Sequence, residues 1–485
     1  MGTKKPINFS RRDFIKYSGL SGGALSIAGV AGAGYMAGKS FDSYTGSERN
    51  DHGLGQFFNR KPFEVNSPTY QKIGNTRRIE NVENIFSRNG EMGQFMRNNP
   101  DWIPEDGIEI LPESLQSYYK KNPDSLTEFF VAREKSEIQH ANWPKYKKRF
   151  LLADAWSAAH SAPLRGRGAF PPNPTSPPEQ WDFQNIDPEP MLFKSDKHAS
   201  ELIKKIAHSF GATLVGVAKI NPDWVYQGRM RGVGNTNFEV PKHWKFGIVV
   251  AVPHEWDQLY GNPTYGSSYD GYSRLRQIAG KLEVFIRHIG FSARSHVPPT
   301  SYELAMPPLA VDAGLGEQGR MGVLVTPELG ANTRLAAITT DMPLQADKPI
   351  DVGISKFCKK CKICAEQCPS NAVSFEKEPE VVRGYKRWKV NHDKCFTIWN
   401  TVGTSHPRGC RICLAVCPYS RKNNWIHQIA REVDPRDPTG LFSSALLTMQ
   451  KSFFEYPDVE NYLPPPDGKN ASYHEGPDWL RTEEW

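Results

Sequence analysis

Eight cysteines arranged in two groups constrain this 485-residue chain more than any other feature. The first group reads FCKKCKICAEQCP, with the spacing C-x2-C-x2-C-x3-C-P, and consists of Cys358, Cys361, Cys364 and Cys368. The second group ends in CRICLAVCP after a longer loop and consists of Cys395, Cys410, Cys413 and Cys417. Because the first spacing is the run that binds [4Fe–4S] clusters, the sequence predicts two such clusters.

Both groups resemble the motifs of bacterial two-cluster ferredoxins, in which the last cysteine of a motif binds the other cluster. The resemblance implies one cluster held by Cys358, Cys361, Cys364 and Cys417. It implies a second cluster held by Cys368, Cys395, Cys410 and Cys413. A disulfide framework is one alternative for an exported protein. Zinc is another, although zinc sites pair their ligands across a long gap.

The N-terminus carries an export motif. Residues 10–16 read SRRDFIK, and residues 17–37 have no charged side chain and are rich in Gly, Ala and Ser. This resembles a twin-arginine signal with a cleavage site after Ala33, so residues 1–33 are predicted to be a signal peptide. An amphipathic helix or a membrane anchor is the alternative. Because no later stretch reaches about 18 apolar residues, we expect a soluble or peripheral mature protein.

Composition argues against a nucleic-acid partner. The net charge is +7, and residues 1–33 supply +4 of it, with five basic side chains and one acidic one. No basic stripe of the kind that nucleic-acid binders carry follows this leader. A hydrophobic fraction of 38% with twelve tryptophans is typical of a globular protein.

Helices alternate with strands over residues 199–347, which predicts an α/β or α+β domain. Residues 199–220 are predicted to form a helix and then a strand, HWKFGIVVAVPHEW a strand that ends at Pro253, and residues 272–291 a helix. The stretches RMGVLVTPE and TRLAAITTDMPL are predicted to be two further strands. A helix-like stretch, NNWIHQIAREV, follows the second cysteine group.

Nearly the whole chain resembles the corrinoid-dependent reductive dehalogenases. The leader, residues 193–226, GYSRLRQIAGKLEVFIRHIGF, AGLGEQGR and the paired cysteine motifs carry this resemblance, in this order. It implies an α+β fold in which a nitroreductase-like, corrinoid-binding α/β domain precedes a ferredoxin-like domain with two [4Fe–4S] clusters. It also implies a base-off cobalt corrinoid of the cobalamin type, without a histidine as lower ligand. No D-x-H-x-x-G motif occurs among the thirteen histidines, which agrees.

The expected domains follow from these assignments. After the signal peptide, residues 34–190 contribute to the substrate pocket, and residues 191–350 form the corrinoid-binding domain. Residues 351–425 form the ferredoxin-like domain, and residues 426–485 form a C-terminal extension.

The resemblance also assigns catalytic roles. Tyr272, at the expected helix start GYSRL, matches the family's proton donor, with Tyr269 as the second candidate. Arg334, in GANTRLAAIT, matches the cation that stabilises the tyrosinate left behind. Packing is the alternative role for the tyrosine, and a structural ion pair for the arginine. The family's Asn or Lys near the tyrosine is absent from SHVPPTSYE, where the replacement candidates are His296, Ser301 and Tyr302.

An apolar halocarbon requires a pocket with aromatic walls and few polar groups. By resemblance, Trp156 and Trp399 match pocket positions, and Trp224 and Tyr226 are further candidates. Packing in the core is the alternative role for each of these side chains.

The stretch GLGEQG fits G-x-G-x-x-G but does not open a helix, so a dinucleotide site is not indicated. The resemblance implies instead that this backbone approaches the corrinoid, and a plain tight turn is the alternative. The predicted cofactor contacts are Gly314, Leu315, Gly316, Glu317, Gly319 and Arg320.

The expected function is reductive dehalogenation of an organohalide in anaerobic respiration, with chloride as the expected leaving group. The resemblance implies a peripheral enzyme on the outer face of the cytoplasmic membrane, a small integral-membrane anchor protein and a respiratory electron donor. It leaves a homodimer open. One alternative is an epoxyqueuosine-reductase-like enzyme, which the leader opposes. Another is a non-catalytic polyferredoxin carrier, which the long α/β region opposes.

Overall fold

The computed structural model describes residues 64–146, 190–227, 239–254, 259, 267–298, 303–402, 410–420, 437 and 440–453. The predicted leader, Trp156, Ser301, Tyr302 and the helix-like stretch after the second cysteine group lie outside the described residues.

The first described segment is a small helical unit. It contains α1 (Ile85–Asn98), α2 (Glu113–Lys121) and α3 (Pro123–Tyr146). Asn84 is the N-cap residue of α1, and its side chain accepts hydrogen bonds from the backbone N–H groups of Phe86 and Ser87. The unit has a hydrophobic core of its own, which includes Met92 and Leu115.

A helix-and-sheet domain follows. Its elements are α4 (Asp196–Ser209), β1 (Leu214–Lys219), β2 (Phe246–Val252), α5 (Ser267–His288), β3 (Ala293–His296), α6 (Met306–Asp312), β4 (Glu317–Gln318), β5 (Leu324–Val325) and β6 (Arg334–Thr340). Four strands form an antiparallel sheet in the order β1-β2-β6-β3, and β4 pairs with β5.

Both faces of the four-stranded sheet are buried, which explains the nearly continuous apolar run of β2. Ile248, Val250 and Val252 pack on one face against residues of α4 and α5. Val249 and Ala251 pack on the other face against residues of α6. This alternation follows from the two-residue period of a strand, so each face of the sheet receives its own core.

Most of the predicted elements are confirmed here, and two differ. The helix and strand within residues 199–220 are present, and β2 ends just before Pro253. However, α5 begins at Ser267, so Tyr272 lies in its second turn and not at its start. The stretch RMGVLVTPE yields only the two-residue strand β5, because a turn closed by the Gly322 N–H on the Gly319 carbonyl occupies its beginning.

The cysteines lie in a third region, built from short elements. These are α7 (Ile354–Lys360), α8 (Ile363–Glu366), β7 (Glu380–Val382), β8 (Tyr385–Arg387), α9 (His392–Val402), α10 (Ile412–Ala415) and, further on, α11 (Leu441–Phe453). The mixed helix-and-sheet fold with a C-terminal cysteine region confirms the predicted α+β class. Among the helices that the structure describes, none has the length and apolarity needed to cross a membrane.

A buried ion pair fastens the helical unit to the cysteine region. Arg88 is 1% exposed and donates hydrogen bonds to the carbonyl oxygen of Val82 and to the carboxylate of Asp393 on α9. The hydroxyl of Ser125 donates to the other carboxylate oxygen of Asp393 at 2.8 Å. Breaking such a pair on one side leaves a buried charge without its partner.

We therefore expect Arg88→Met to lower the free energy of unfolding by about 3 kcal/mol, because it leaves the carboxylate of Asp393 without its charged partner. The matched control is Arg133→Met on α3, whose ion pair with Glu137 is exposed and should be worth less than about 1 kcal/mol. Anaerobic thermal unfolding followed by circular dichroism measures both. Equal losses in the two variants would contradict the assigned role.

Candidate functional site

The eight cysteines are free thiols, so the disulfide alternative is wrong. Burial is the main reason that the pKa values of Cys364 and Cys413 are raised, and repulsion by neighbouring thiols adds to it. The repulsion divides them into two sets. Cys364 is influenced mainly by Cys358, Cys361 and Cys417. Cys413 is influenced mainly by Cys410, Cys395 and Cys368.

These sets match the two predicted ligand groups. Within the described residues, no three His, Cys, Asp or Glu side chains converge closely enough to hold a single metal ion. Two sets of four thiols that are neighbours without converging suit a polynuclear cluster better than one zinc ion. Burial raises the pKa of the Cys361 and Cys410 thiols to about 12, so iron must displace their protons when a cluster binds.

The two sets differ in exposure. Cys358, Cys361, Cys364 and Cys417 are buried, whereas Cys368, Cys395, Cys410 and Cys413 are half-buried. The second set is therefore the one nearer to solvent within the described part of the chain.

Glu317, a predicted cofactor contact, binds the cysteine region of the protein itself. Its carboxylate is fully buried and accepts hydrogen bonds from the N–H groups of Val352 at 2.8 Å, Ile354 at 3.0 Å and Ser355 at 2.9 Å. These groups begin α7, and a carboxylate is favoured at the N-terminus of a helix. Burial raises the pKa of Glu317, which the three donors partly oppose.

Arg320 also contacts the cysteine region. Its guanidinium is fully buried and donates to the carbonyl oxygens of Cys358 at 2.6 Å and Cys361 at 3.0 Å. It donates further to the carbonyl oxygens of Ser374 at 2.8 Å and Glu376 at 2.5 Å. The side chains of Glu317 and Arg320 are thus engaged inside the protein, and their contact with a corrinoid stays a prediction.

The glycines of the same loop serve close approaches within the chain. Gly314 has φ 71°, and a Cβ on it would lie 2.4 Å from the carbonyl oxygen of Lys348. A Cβ on Gly316 would lie 2.2 Å from the carbonyl oxygen of Val325, and one on Gly319 would lie 2.7 Å from that residue's side chain. Leu315 is buried in the sheet core. These contacts support the tight-turn alternative, and an approach of this backbone to a corrinoid stays a prediction.

Tyr272 and Arg334 lie together, as the resemblance implies. The guanidinium carbon of Arg334 is 5.3 Å from the centroid of the Tyr272 ring. Its Nη2 donates to the hydroxyl of Ser268, one turn earlier on α5, at 2.6 Å. A Cβ on Gly271 would lie 2.8 Å from Cγ of Arg334, so the glycine gives the arginine room to cross the helix.

A second arginine reaches the same hydroxyl from the cysteine region. Arg411, between Cys410 and Cys413, is 1% exposed and donates to Ser268 at 3.0 Å. Two guanidinium groups therefore converge on one side chain, close to Tyr272. Arg411 makes the contact that joins the second thiol set to this cluster of polar residues.

Sequence reasoning missed His254, which follows β2 and Pro253. Its Nδ1 lies 2.7 Å from the amide oxygen of Asn332, which also accepts the His254 N–H at 3.2 Å. Because an amide oxygen only accepts, Nδ1 carries the ring proton, and Nε2 is an acceptor. This Nε2 is buried, and no described residue forms a hydrogen bond with it. A lone histidine directly after a buried strand was the available signal.

Burial, together with the charges of Arg334 and Arg411, holds the pKa of His254 well below its usual 6.5. The imidazole is therefore neutral at pH 7 beside the two arginines. By contrast, His296 is fully engaged, because its two ring nitrogens contact Glu303 at 2.6 Å and Thr339 at 2.9 Å. Of the two, His254 is the better candidate for the polar partner that SHVPPTSYE lacks.

The predicted pocket aromatics lie in different places. Trp224 is 3% exposed, donates to the carboxylate of Asp312 at 2.7 Å and stacks edge-on with Tyr70 and Tyr385. Trp224 and the half-buried Tyr226 belong to the core on the sheet face opposite to that of Tyr272. The placement supports the packing alternative for both.

Trp399 lies on α9, where its ring is tilted against Phe86 of the helical unit at 5.5 Å. Its indole Nε1 is buried and has no hydrogen-bond partner among the residues that the structure describes. A cavity of about 1870 Å³ also lies between the helical unit and α9, but its lining includes Arg77, Glu83 and Arg383. Such a charged lining does not suit an apolar halocarbon.

Comparison with known proteins agrees with this geometry. A family model described as a 4Fe-4S dicluster domain matches residues 357–421. The chain is 30% identical over 314 residues to a tetrachloroethene reductive dehalogenase of Desulfitobacterium hafniense, covering 53% of this chain and 56% of that protein. It is 32% identical over 220 residues to a trichloroethene reductive dehalogenase of Dehalococcoides mccartyi, covering 43% and 36% of the two chains.

Among solved structures, the catabolic reductive dehalogenase NpRdhA in complex with 3-bromo-4-hydroxybenzoic acid matches with a TM-score of 0.59. The match is 21% identical and covers 84% of this chain and 51% of that chain, so it shows a shared fold. The chain spans about half the length of the curated relatives it matches first, 56% and 55% in two cases.

We expect Glu317→Ala to lower the free energy of unfolding by about 3 kcal/mol, because it leaves buried N–H donors at the start of α7 unsatisfied. The matched control is Glu366→Ala on α8, whose ion pair with Lys451 is exposed and should be worth less than about 1 kcal/mol. Anaerobic melting, followed by visible cluster absorbance and circular dichroism, measures both. Melting of Glu317→Ala at the wild-type temperature would contradict this role.

Proposed function

We propose that this chain is a member of the reductive dehalogenase family and that it removes halide reductively from an organohalide. The reaction delivers two electrons and one proton to carbon, the carbon–halogen bond breaks, and halide leaves. The observation that carries the proposal is the convergence of Arg334 and Arg411 on Ser268 beside Tyr272. It joins a proton-donating group to the region that holds the thiols.

Electrons would enter through the thiol sets. The half-buried set that contains Cys410 is the nearer to solvent, and the buried set lies deeper in the cysteine region. Two neighbouring [4Fe–4S] clusters transfer electrons singly, so the chain can gather two electrons at one site. Arg411, next to Cys410, donates to Ser268, so the set that contains Cys410 is also the one that borders the Tyr272 cluster.

We further propose a cobalt corrinoid at this site. The buried Nε2 of His254 and Nε of Arg334 have no hydrogen-bond partner among the described residues, so these residues fit a bound group that completes them. When bound, a corrinoid supplies the low-valent metal that reduces the carbon–halogen bond. Tyr272, Arg334 and His254 are the side chains that would face it.

Tyr272 would supply the proton from its hydroxyl. A free tyrosine loses its proton near pH 10, so a neighbouring cation must stabilise the tyrosinate that forms. Arg334 fits this role because its guanidinium lies against the ring and forms no ion pair in the described part of the chain. Neutral His254 can accept a hydrogen bond there without adding a charge.

The substrate class and the location extend the same proposal. We propose an apolar halogenated compound, because two matched relatives are named for tetrachloroethene and trichloroethene. The twin-arginine motif supports export to the outer face of the cytoplasmic membrane. There a small membrane protein would anchor the enzyme and a respiratory donor would reduce it.

The decisive experiment is a halide-release screen on anaerobically reconstituted protein, with reduced methyl viologen as the donor. Chloroethenes, chloroalkanes and chloroaromatics are tested in parallel, and bound cobalt and iron are quantified. We expect halide release from at least one class, together with bound cobalt. Protein that passes electrons but binds no cobalt and releases no halide would overturn the proposal in favour of an electron carrier.

Tyr272→Phe should reduce halide release at least about 100-fold, because general acid catalysis contributes about that much or more. Its cobalt and iron contents should match the wild type, since only a hydroxyl is removed. Tyr70→Phe is the matched control, because its hydroxyl donates to Asp312 in the other core and should leave turnover unchanged. Wild-type turnover in Tyr272→Phe would remove this residue as the donor.

A further inference from the structure

Arg320 is a buried cation without an acidic partner. Its side chain is 0% exposed, and every hydrogen bond that it donates ends on a backbone carbonyl oxygen. Its other contact is the ring of Trp388, whose centroid lies 5.0 Å from the guanidinium carbon. No carboxylate in the described part of the chain forms an ion pair with it.

Burying a cation in this way raises the free energy of the folded state unless a negative charge lies nearby. Removing a cation from water costs several kcal/mol, and carbonyl dipoles recover only part of this. Two arginines that are as deeply buried have side-chain partners. Arg88 pairs with Asp393, and Arg411 donates to Ser268. Arg320 therefore needs a counter-charge that no carboxylate among the described residues supplies.

The thiols of the buried set are the groups on which this charge acts. Arg320 donates directly to the carbonyl oxygens of Cys358 and Cys361. A cubane bound by four thiolates carries net negative charge, so it would be the missing partner.

We propose that Arg320 is the counter-ion of the cluster held by Cys358, Cys361, Cys364 and Cys417, and that it raises the reduction potential of this cluster. One-electron reduction adds a negative charge to the cluster. A fixed positive charge in a buried, low-dielectric site stabilises the reduced form. Arg320 is thus a positioning residue for the cluster, and the inference requires the clusters but not dehalogenase activity.

The charge of Arg320 should have a smaller effect on the cluster held by Cys368, Cys395, Cys410 and Cys413. Arg320 donates to the carbonyl oxygens of Cys358 and Cys361, whereas the arginine next to Cys410 in the chain is Arg411. The half-buried thiols of that set are also screened by solvent. A change at Arg320 should therefore alter one midpoint potential and leave the other in place.

The test compares Arg320→Gln, Arg320→Lys and a control variant by redox titration monitored by electron paramagnetic resonance. Gln removes the charge, and Lys keeps the charge but loses the planar fork. The control is Lys359→Gln on α7, which removes an exposed cation next to Cys358 that pairs with Glu378. Iron content and cluster absorbance are measured on every sample, and halide release plays no part in the readout.

We expect Arg320→Gln to make reduction of one cluster at least tenfold less favourable, which is a shift of about 59 mV to more negative potential. Arg320→Lys should shift that midpoint by less than half as much, and Lys359→Gln should not shift either midpoint. Unchanged midpoints in Arg320→Gln would overturn the proposal. Equal shifts of both clusters, or an equal shift in the Lys and Gln variants, would also overturn it.

If Arg320→Gln loses the cluster, its midpoint potential no longer tests the proposal, and the iron content of the two Arg320 variants tests it instead. The counter-ion role then predicts full iron content in Arg320→Lys, which retains the charge, with loss confined to the neutral variant. Loss of iron in both variants would show that the hydrogen bonds of the guanidinium, and not its charge, hold the cysteine loop. That result would refute the proposal.

Discussion

The gathering of eight thiols between Cys358 and Cys417 is the constraint on which the rest of the structure depends. Several helices of this region are short: α7 has seven residues, and α8 and α10 have four each. Helices of that length do not stabilise themselves, so contacts with the rest of the chain must support this region. Glu317 and Arg320 contact α7 and the cysteine loop from the helix-and-sheet domain, and Arg88 contacts α9 from the helical unit.

The candidate site lies where these regions meet. Ser268 accepts from Arg334 of the sheet and from Arg411 of the cysteine region, so its hydroxyl is a common point for both. Tyr272 lies one turn further along the same helix. The fold thus brings the hydroxyl-bearing Tyr272 close to an arginine that adjoins the thiols, and the proposed reaction rests on this arrangement.

The features set by local spacing were predictable from the sequence. The two ligand sets follow from the cysteine motifs, and the proximity of Tyr272 and Arg334 follows from the family resemblance. Contacts between distant residues were not predictable in this way. Arg320 donates to carbonyl oxygens of residues that lie 38 and 41 positions further along the chain. Because no local pattern indicates these bonds, the sequence alone predicts a corrinoid contact for Arg320 instead. Trp224 donates to the carboxylate of Asp312, 88 residues away, and no local sequence pattern predicts that bond.

The Glu317–Arg320 contacts bear on how modular the cysteine region is. The dicluster family model covers residues 357–421, yet the carboxylate that begins α7 and the guanidinium that binds the cysteine loop both lie before it. A fragment cut at the family boundary would keep every thiol and lose both supports. The cysteine region therefore resembles a ferredoxin in its motifs without being a self-contained one, and its clusters belong to the architecture of the larger domain.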